Sequence, residues 1–260
     1  MNDDGSVAAP EQGSWADEQP ASDVVLEQRF SKLEDALNLG VWEADGDDLS
    51  LYVCEEGADD GPAGAMFVAQ GEWDAEAQLV HFLRDGKGAR ISELSMTLIC
   101  EELDIDTCGT FTVGLAYDDD FEEATLLAIT LRHPRVNPGD GDATLEELSR
   151  VQLKVNGELI NAHVGSLPLV LQLDARLCWD SAKRSVKVRH RIAPARLGGA
   201  AAADVGINDV PYVESAAGFY TTGVKFEHAR AVCLRGTGTV RVRLIRVSCS
   251  AVASGNGGSA

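Results

Sequence analysis

The residues best spaced for chemistry are the acids of Glu102-Leu103-Asp104-Ile105-Asp106. Acidic and apolar side chains alternate there, and a period of two lines three carboxylates along one face of a strand. Paired carboxyls can act as nucleophile and general acid when they stand about 5 to 5.5 Å apart. Residues i and i+4 on a strand have Cα atoms roughly 13 Å apart, so the side chains at 102 and 106 must lean together. Asp106 is one methylene short for that, and the plain alternative is an acidic strand edge or turn.

Hard-oxygen chemistry is the next candidate. Asp45/Asp47/Asp48, Asp59/Asp60, Asp118/Asp119/Asp120 with Glu122/Glu123, and Asp140/Asp142 gather carboxylates of the kind Ca²⁺ needs. Counting twelve positions from Asp45 ends on Glu56, but the sixth is Ser50 where an EF-hand requires glycine. Calcium is therefore carried as a candidate cofactor at Asp118, Asp119 and Asp120, with solvated acidic loops as the alternative. Cations form the third group. Lys187, Arg189 and Arg191 alternate with Val186, Val188, His190 and Ile192, and Arg241 and Arg243 alternate with Val240, Val242 and Leu244. Alternation puts these five cations on a sheet face, where they can meet a protein partner, another copy of the chain, or a polyanion such as a glycan. No aromatic residues are interleaved with them, so base stacking is unsupported and nucleic acid is disfavoured. GxSxG, GxxxxGK and HExxH motifs do not occur, and the histidines stand apart in sequence.

The elements that position these residues read as strands. From Leu49 onward, short apolar or alternating runs are separated by turn residues, giving twelve candidate strands at roughly ten-residue spacing. Asn156-Gly157, between LKV and ELI, is the dipeptide demanded by a two-residue hairpin whose central residues both need positive φ. Thr144 and Glu147 make a capping-box pattern for a short helical turn. The segment 198–218 follows neither period and reads as a long loop. Before the strands, Asp23 stands as an N-cap, Leu26, Phe30, Leu33 and Leu37 recur at helical spacing, and Gly40 follows, which predicts an amphipathic helix over 23–40. Residues 1–22 have the composition of a disordered acidic arm, and 251–260 that of a flexible tail.

This pattern predicts an all-β fold, a jelly-roll sandwich of about twelve strands over residues 41–250. TFTVGLAY followed by ATLLAITLRH, then VQLKVNGELINAHV, LVLQLDARLCW, SVKVRHRI, VKFEHARAVCL and TVRVRLIRVS, resembles the concanavalin A-like or laminin-G-like jelly roll. In KFEHARAV, His228 stands where that family more often has Asn or Asp. The resemblance implies glycan or protein binding more often than catalysis, and calcium at the rim of the sandwich. Within the same fold, Glu102, Asp104 and Asp106 look like the ExDxE signature of family-sixteen glycoside hydrolases, whose first Glu is the nucleophile and whose last is the general acid. The aromatic-rich run that usually precedes that signature is missing here.

Charge divides the chain. Residues 1–150 hold 35 acidic and 8 basic residues, a formal charge of −27, while 151–260 hold 7 and 14, a charge of +7. Surfaces of opposite sign attract one another or steer partners. The six cysteines form no CxxC pair and read as buried reduced thiols. The amino terminus is acidic and polar rather than basic then apolar, and no apolar run reaches the length of a membrane span. A cytoplasmic or assembly-resident location follows as the expectation. Taken together, the residues favour a non-catalytic β-sandwich binding or assembly subunit that works through oppositely charged surfaces. The alternative is a lectin-like glycan-binding module, with calcium as its candidate cofactor, and a glycoside hydrolase stands third.

Overall fold

A computed structural model describes residues 22–30, 42–45, 49–54, 62–72, 76–83, 91–116, 125–132, 150–155, 158–164, 171–180, 185–194, 207–218 and 229–252. They form fifteen strands: β1 (Ser22–Arg29), β2 (Glu43–Asp45), β3 (Leu49–Cys54), β4 (Gly64–Ala69), β5 (Glu76–Phe82), β6 (Ile91–Leu103), β7 (Thr110–Ala116), β8 (Thr125–Arg132), β9 (Arg150–Val155), β10 (Glu158–Val164), β11 (Leu171–Asp180), β12 (Ser185–Pro194), β13 (Val213–Gly218), β14 (Ala231–Thr237) and β15 (Val240–Val252). One sheet runs β13-β12-β11-β6-β15-β4-β3, with β1 also paired to β15, and the other runs β10-β9-β8-β7-β14-β5-β2. All recorded pairings are antiparallel. This is the jelly-roll sandwich that the strand pattern implies.

Period-two alternation builds the core. Leu94, Met96, Leu98 and Cys100 of β6, Leu173, Ala175 and Leu177 of β11, and Val240, Val242 and Leu244 of β15 face Phe111, Val113 and Leu115 of β7 and Leu153 of β9 in one buried cluster. Phe67 and Phe111 meet across the sheets edge to face, 5.3 Å between centroids. Gly236 keeps that contact possible, since a Cβ there would come within 2.8 Å of the Phe67 ring. On β15 the register shifts between Leu244 and Arg246. That bulge resets the alternation, so Val247, Cys249 and Ala251 return to the core.

Three sequence expectations are corrected. The helix expected over 23–40 is a strand where described: β1 pairs with the far half of β15, with Leu26 opposite Cys249. Leu26 and Phe30 stand four apart, a spacing that keeps two residues on one face of a strand as well as on one face of a helix. Both are buried, and Phe30 donates its N–H to the Ile245 carbonyl at 3.0 Å. Residues 31–41 lie outside the described residues. Where described, over 207–218, the expected long loop carries a 3-10 turn, Ile207–Asp209, and the strand β13 at the end of its sheet. Ala251 and Val252, expected in the flexible tail, belong to β15. The arm before Ser22, the Thr144/Glu147 pattern, His228 and the Asn156-Gly157 turn lie outside the described residues, although Val155 opposite Glu158 leaves two residues for that turn.

Of the cysteines, Cys100, Cys178, Cys233 and Cys249 are free and buried as expected, and burial pushes the Cys100 thiol up to about 12. Cys108 departs from the expectation. It is exposed, in a turn, with φ of 53°.

Candidate functional site: the outer face of the eight-stranded sheet

The sequence-predicted cations and acids meet on one surface. Lys187, Arg189 and Arg191 project outward from β12, opposite the buried Val186, Val188 and His190. Arg241 and Arg243 project from the same face of β15, which β11 and β6 separate from β12.

Carboxylates from the neighbouring strands take up much of this charge. A register shift in the β6–β15 pairing sets Arg241 opposite Glu102 and Val242 opposite Cys100, which leaves Glu101 as the extra residue of a bulge. Glu101 then reaches both arginines of β15: Arg243 Nε donates to Oε1 at 3.0 Å, and Arg241 Nε lies 3.2 Å from Oε2. Arg243 also donates from Nη1 to the Pro62 carbonyl at 3.2 Å, and its side chain is 1% exposed. It is a buried structural cation, so its assignment as a contact residue for a partner is corrected. Alternation shows the side of the sheet a residue occupies, not what lies on top of it.

Arg191 is held in the same manner. It donates Nε and Nη2 to Asp174 Oδ2 at 3.1 and 2.9 Å, and Nη2 to Asn208 Oδ1 at 3.2 Å. The Tyr212 hydroxyl donates to the same carboxylate oxygen at 2.6 Å, and its ring lies under the Arg189 and Arg191 guanidinium groups at 4.3 and 4.5 Å. Burial raises the Tyr212 phenol, and the hydrogen bond to Asp174 and its charge add to that, against the lowering influence of the two arginines. The segment between the 3-10 turn and β13 is thereby fastened over β11 and β12. Sequence reading passed over Tyr212 and Asn208 because their segment lacks a period.

The triple-acid strand does not form. β6 ends at Leu103, and Ile105–Cys108 is a turn. Asp104 closes that turn: its Oδ2 accepts from the Thr107 N–H at 2.8 Å, and its carbonyl accepts from Gly109 N–H at 2.7 Å. Burial alone would raise the Asp104 carboxyl, but hydrogen bonds from Thr107, Asp106 and Ile105 outweigh it and hold the group below its usual value. Glu102, Asp104 and Asp106 are thus a strand end, a turn cap and an exposed turn residue rather than one catalytic row. Turn chemistry explains the pattern, since Asp followed three residues later by Thr is an Asx-type closure.

One pocket joins two of the predicted residues. A depression of about 220 Å³ is lined by Ser50, Val68, Gln70, Glu102, Thr239, Val240 and Arg241. Ser50, Val68, Arg241 and Glu102 face one another in a single cross-strand row over β3, β4, β15 and β6. Its end wall is the β14–β15 hairpin. Gly238 has φ of +66°, which suits the first central residue of a two-residue turn, and the Thr239 N–H donates to Thr107 Oγ1 at 2.9 Å. Hydroxyls, an amide, a carboxylate and a guanidinium therefore surround an apolar floor at Val68. Calcium has no visible seat there: among the described residues no three His, Cys, Asp or Glu side chains converge as a metal site, and Asp118, Asp119 and Asp120 lie outside them.

No protein-family model and no curated protein matches the chain. Among solved structures it is similar to the Lotus tetragonolobus seed lectin, at 10% identity and a TM-score of 0.47, over 88% of this chain and 97% of that one. It is similar to the winged bean acidic lectin at 9% identity and 0.47, over 89% and 99%. A legume lectin-like domain from Entamoeba histolytica stands at 10% and 0.43, over 86% and 96%.

Proposed function

We propose that the chain is a non-catalytic binding module that takes the end of a glycan in the pocket between β3, β4, β15 and β6. The cross-strand row of Ser50, Val68, Arg241 and Glu102 carries this reading. Sugar hydroxyls both donate and accept, so they are matched by a site that mixes hydroxyl, amide, carboxylate and guanidinium groups over an apolar floor. Arg241 is 45% exposed, and its Nε faces Glu101, which orients the guanidinium in the pocket wall. Glu102, exposed at the same level, supplies an acceptor rather than an acid catalyst. Charge-driven assembly is the competing reading, and the ion pairs that consume Arg191 and Arg243 weigh against it.

Binding to an immobilised glycan panel tests the proposal, with Arg241→Ala and Glu102→Gln as variants. Both substitutions sit at the surface, and each should abolish binding while leaving thermal unfolding unchanged. Repeating the panel with a chelator decides whether calcium takes part. Absence of glycan binding, together with a multimer by light scattering that dissociates in salt, would overturn the proposal in favour of assembly.

A further inference from the structure

The outer face of the seven-stranded sheet carries cations of a different kind. On β8, Ile129 and Leu131 point into the core and Arg132 points out; on β9, Val151, Leu153 and Val155 point in and Gln152 and Lys154 point out. Arg132 stands opposite Gln152 and Thr130 opposite Lys154, so the two cations are diagonal neighbours on adjacent strands. Among the described residues neither has an ion pair or a hydrogen-bonded side-chain partner, and Arg132 Nε is buried without an acceptor. The Gln152 Oε1 is buried and unpartnered too, which leaves that amide able to turn its NH₂ toward an incoming acceptor. Burial lowers the Lys154 ammonium, and the charge of Arg132 lowers it further. Hydroxyls continue the surface: Thr130 and Thr112 are 3.1 Å apart, Thr110 bonds Thr237, and Arg235 beyond them is paired with Glu76.

Two neighbouring cations are costly as structure in a chain of formal charge −20 when, among the described residues, no carboxylate pairs with either. We propose that Arg132 and Lys154 form a binding site for a sulfate or phosphate group on the outer face of the seven-stranded sheet. The planar guanidinium offers paired N–H donors, the ammonium a point charge, and Gln152 and Thr130 neutral donors at the margin. The site shares no residue with the proposed glycan pocket, which lies on the opposite sheet.

The test is a titration of the ¹⁵N-labelled full chain with sodium sulfate, against sodium chloride at matched ionic strength, followed through the Arg132 Nε–H and the β8–β9 amides. Saturable shifts in sulfate but not in chloride are expected. Arg132→Gln and Lys154→Gln should each weaken them by about tenfold, the value of one charge-assisted hydrogen bond. Equal shifts in both salts, or saturation retained when both residues are replaced, would overturn the site. Arg241→Ala should leave the sulfate titration unchanged, so failure of this site and failure of the glycan pocket are read separately. Repeating the titration with a sulfated oligosaccharide and its desulfated form shows whether the group is carried on a sugar or taken as a free anion.

Discussion

On the outer face of the eight-stranded sheet, Arg176, Arg191, Arg241 and Arg243 each meet a carboxylate: Glu93, Asp174, and Glu101 twice. On the outer face of the seven-stranded sheet, Arg235 meets Glu76, but Arg132 and Lys154 meet none among the described residues. The chemistry of the side chains is the same, and the partners differ. Among the described pairs on either face, the acids that meet arginines of the basic part come from the other half of the sequence, Asp174 excepted. Glu93, Glu101, Glu76 and Glu27 come from the acidic part, while Arg176, Arg241, Arg243, Arg235 and Arg246 come from the basic part. Charge asymmetry along the chain is thus partly cancelled across strand pairs, and an uncancelled cation carries more information than a long row of paired ones.

The sharpest way to break this comparison is to strip a paired cation of its acid. Glu101→Ala leaves the buried Arg243 guanidinium with only the Pro62 carbonyl, and should cost about 3 to 5 kcal/mol in urea unfolding. Replacing both partners, Glu101→Leu with Arg243→Met, should recover most of that loss, because no unpaired charge then remains buried. If the single and double variants are equally unstable, the pair is not what holds this part of the face.

Most of the sandwich was legible in the sequence because its strands bury one face and expose the other, so a period of two is written directly in runs such as ISELSMTLIC and SVKVRHRI. β1 was misread because Leu26 and Phe30 satisfy both periods, and the choice between them was made by its pairing partner, β15, more than two hundred residues away. Neither β13 nor Tyr212 announces itself locally, since their order comes from Asp174 and the β12 arginines. The site was harder still. Alternation placed Arg241 and Arg243 on the correct face, yet the bulge that makes Glu101 their common acceptor leaves no mark in EELDID. Arg132 and Lys154 went unnoticed because they lie on different strands, and only the register of β8 and β9 brings them together.

A smaller effect is expected at the turn that ends β6. The Asp104 carboxyl is held below its usual value in the folded chain, so the stability it adds is fully present above the unfolded value of about 3.9 and is lost as pH falls through the lower folded value. Asp104→Asn should therefore lower stability at neutral pH by about 1 kcal/mol and flatten the acid limb of the stability curve below pH 4. An unchanged acid limb would mean that other carboxylates govern it, and that the turn is closed by the backbone bonds of Cys108 and Gly109 alone.

The smallest effect has the opposite sign, and that makes it the most discriminating. Among the described residues no acid pairs with Lys154, and the charge of Arg132 acts on it as a like charge. Lys154→Gln should leave stability unchanged or raise it by about 0.5 kcal/mol, the scale of a relieved like-charge pair on a partly exposed face. Such a result would show that Lys154 does not hold the fold together. In the presence of sulfate the order should reverse, because the anion binds the native chain with Lys154 in place and raises its unfolding temperature more than that of the variant. If Lys154→Gln instead destabilises the chain with and without sulfate, Lys154 is a structural residue like Arg243, and the two faces of the molecule use their cations in the same way.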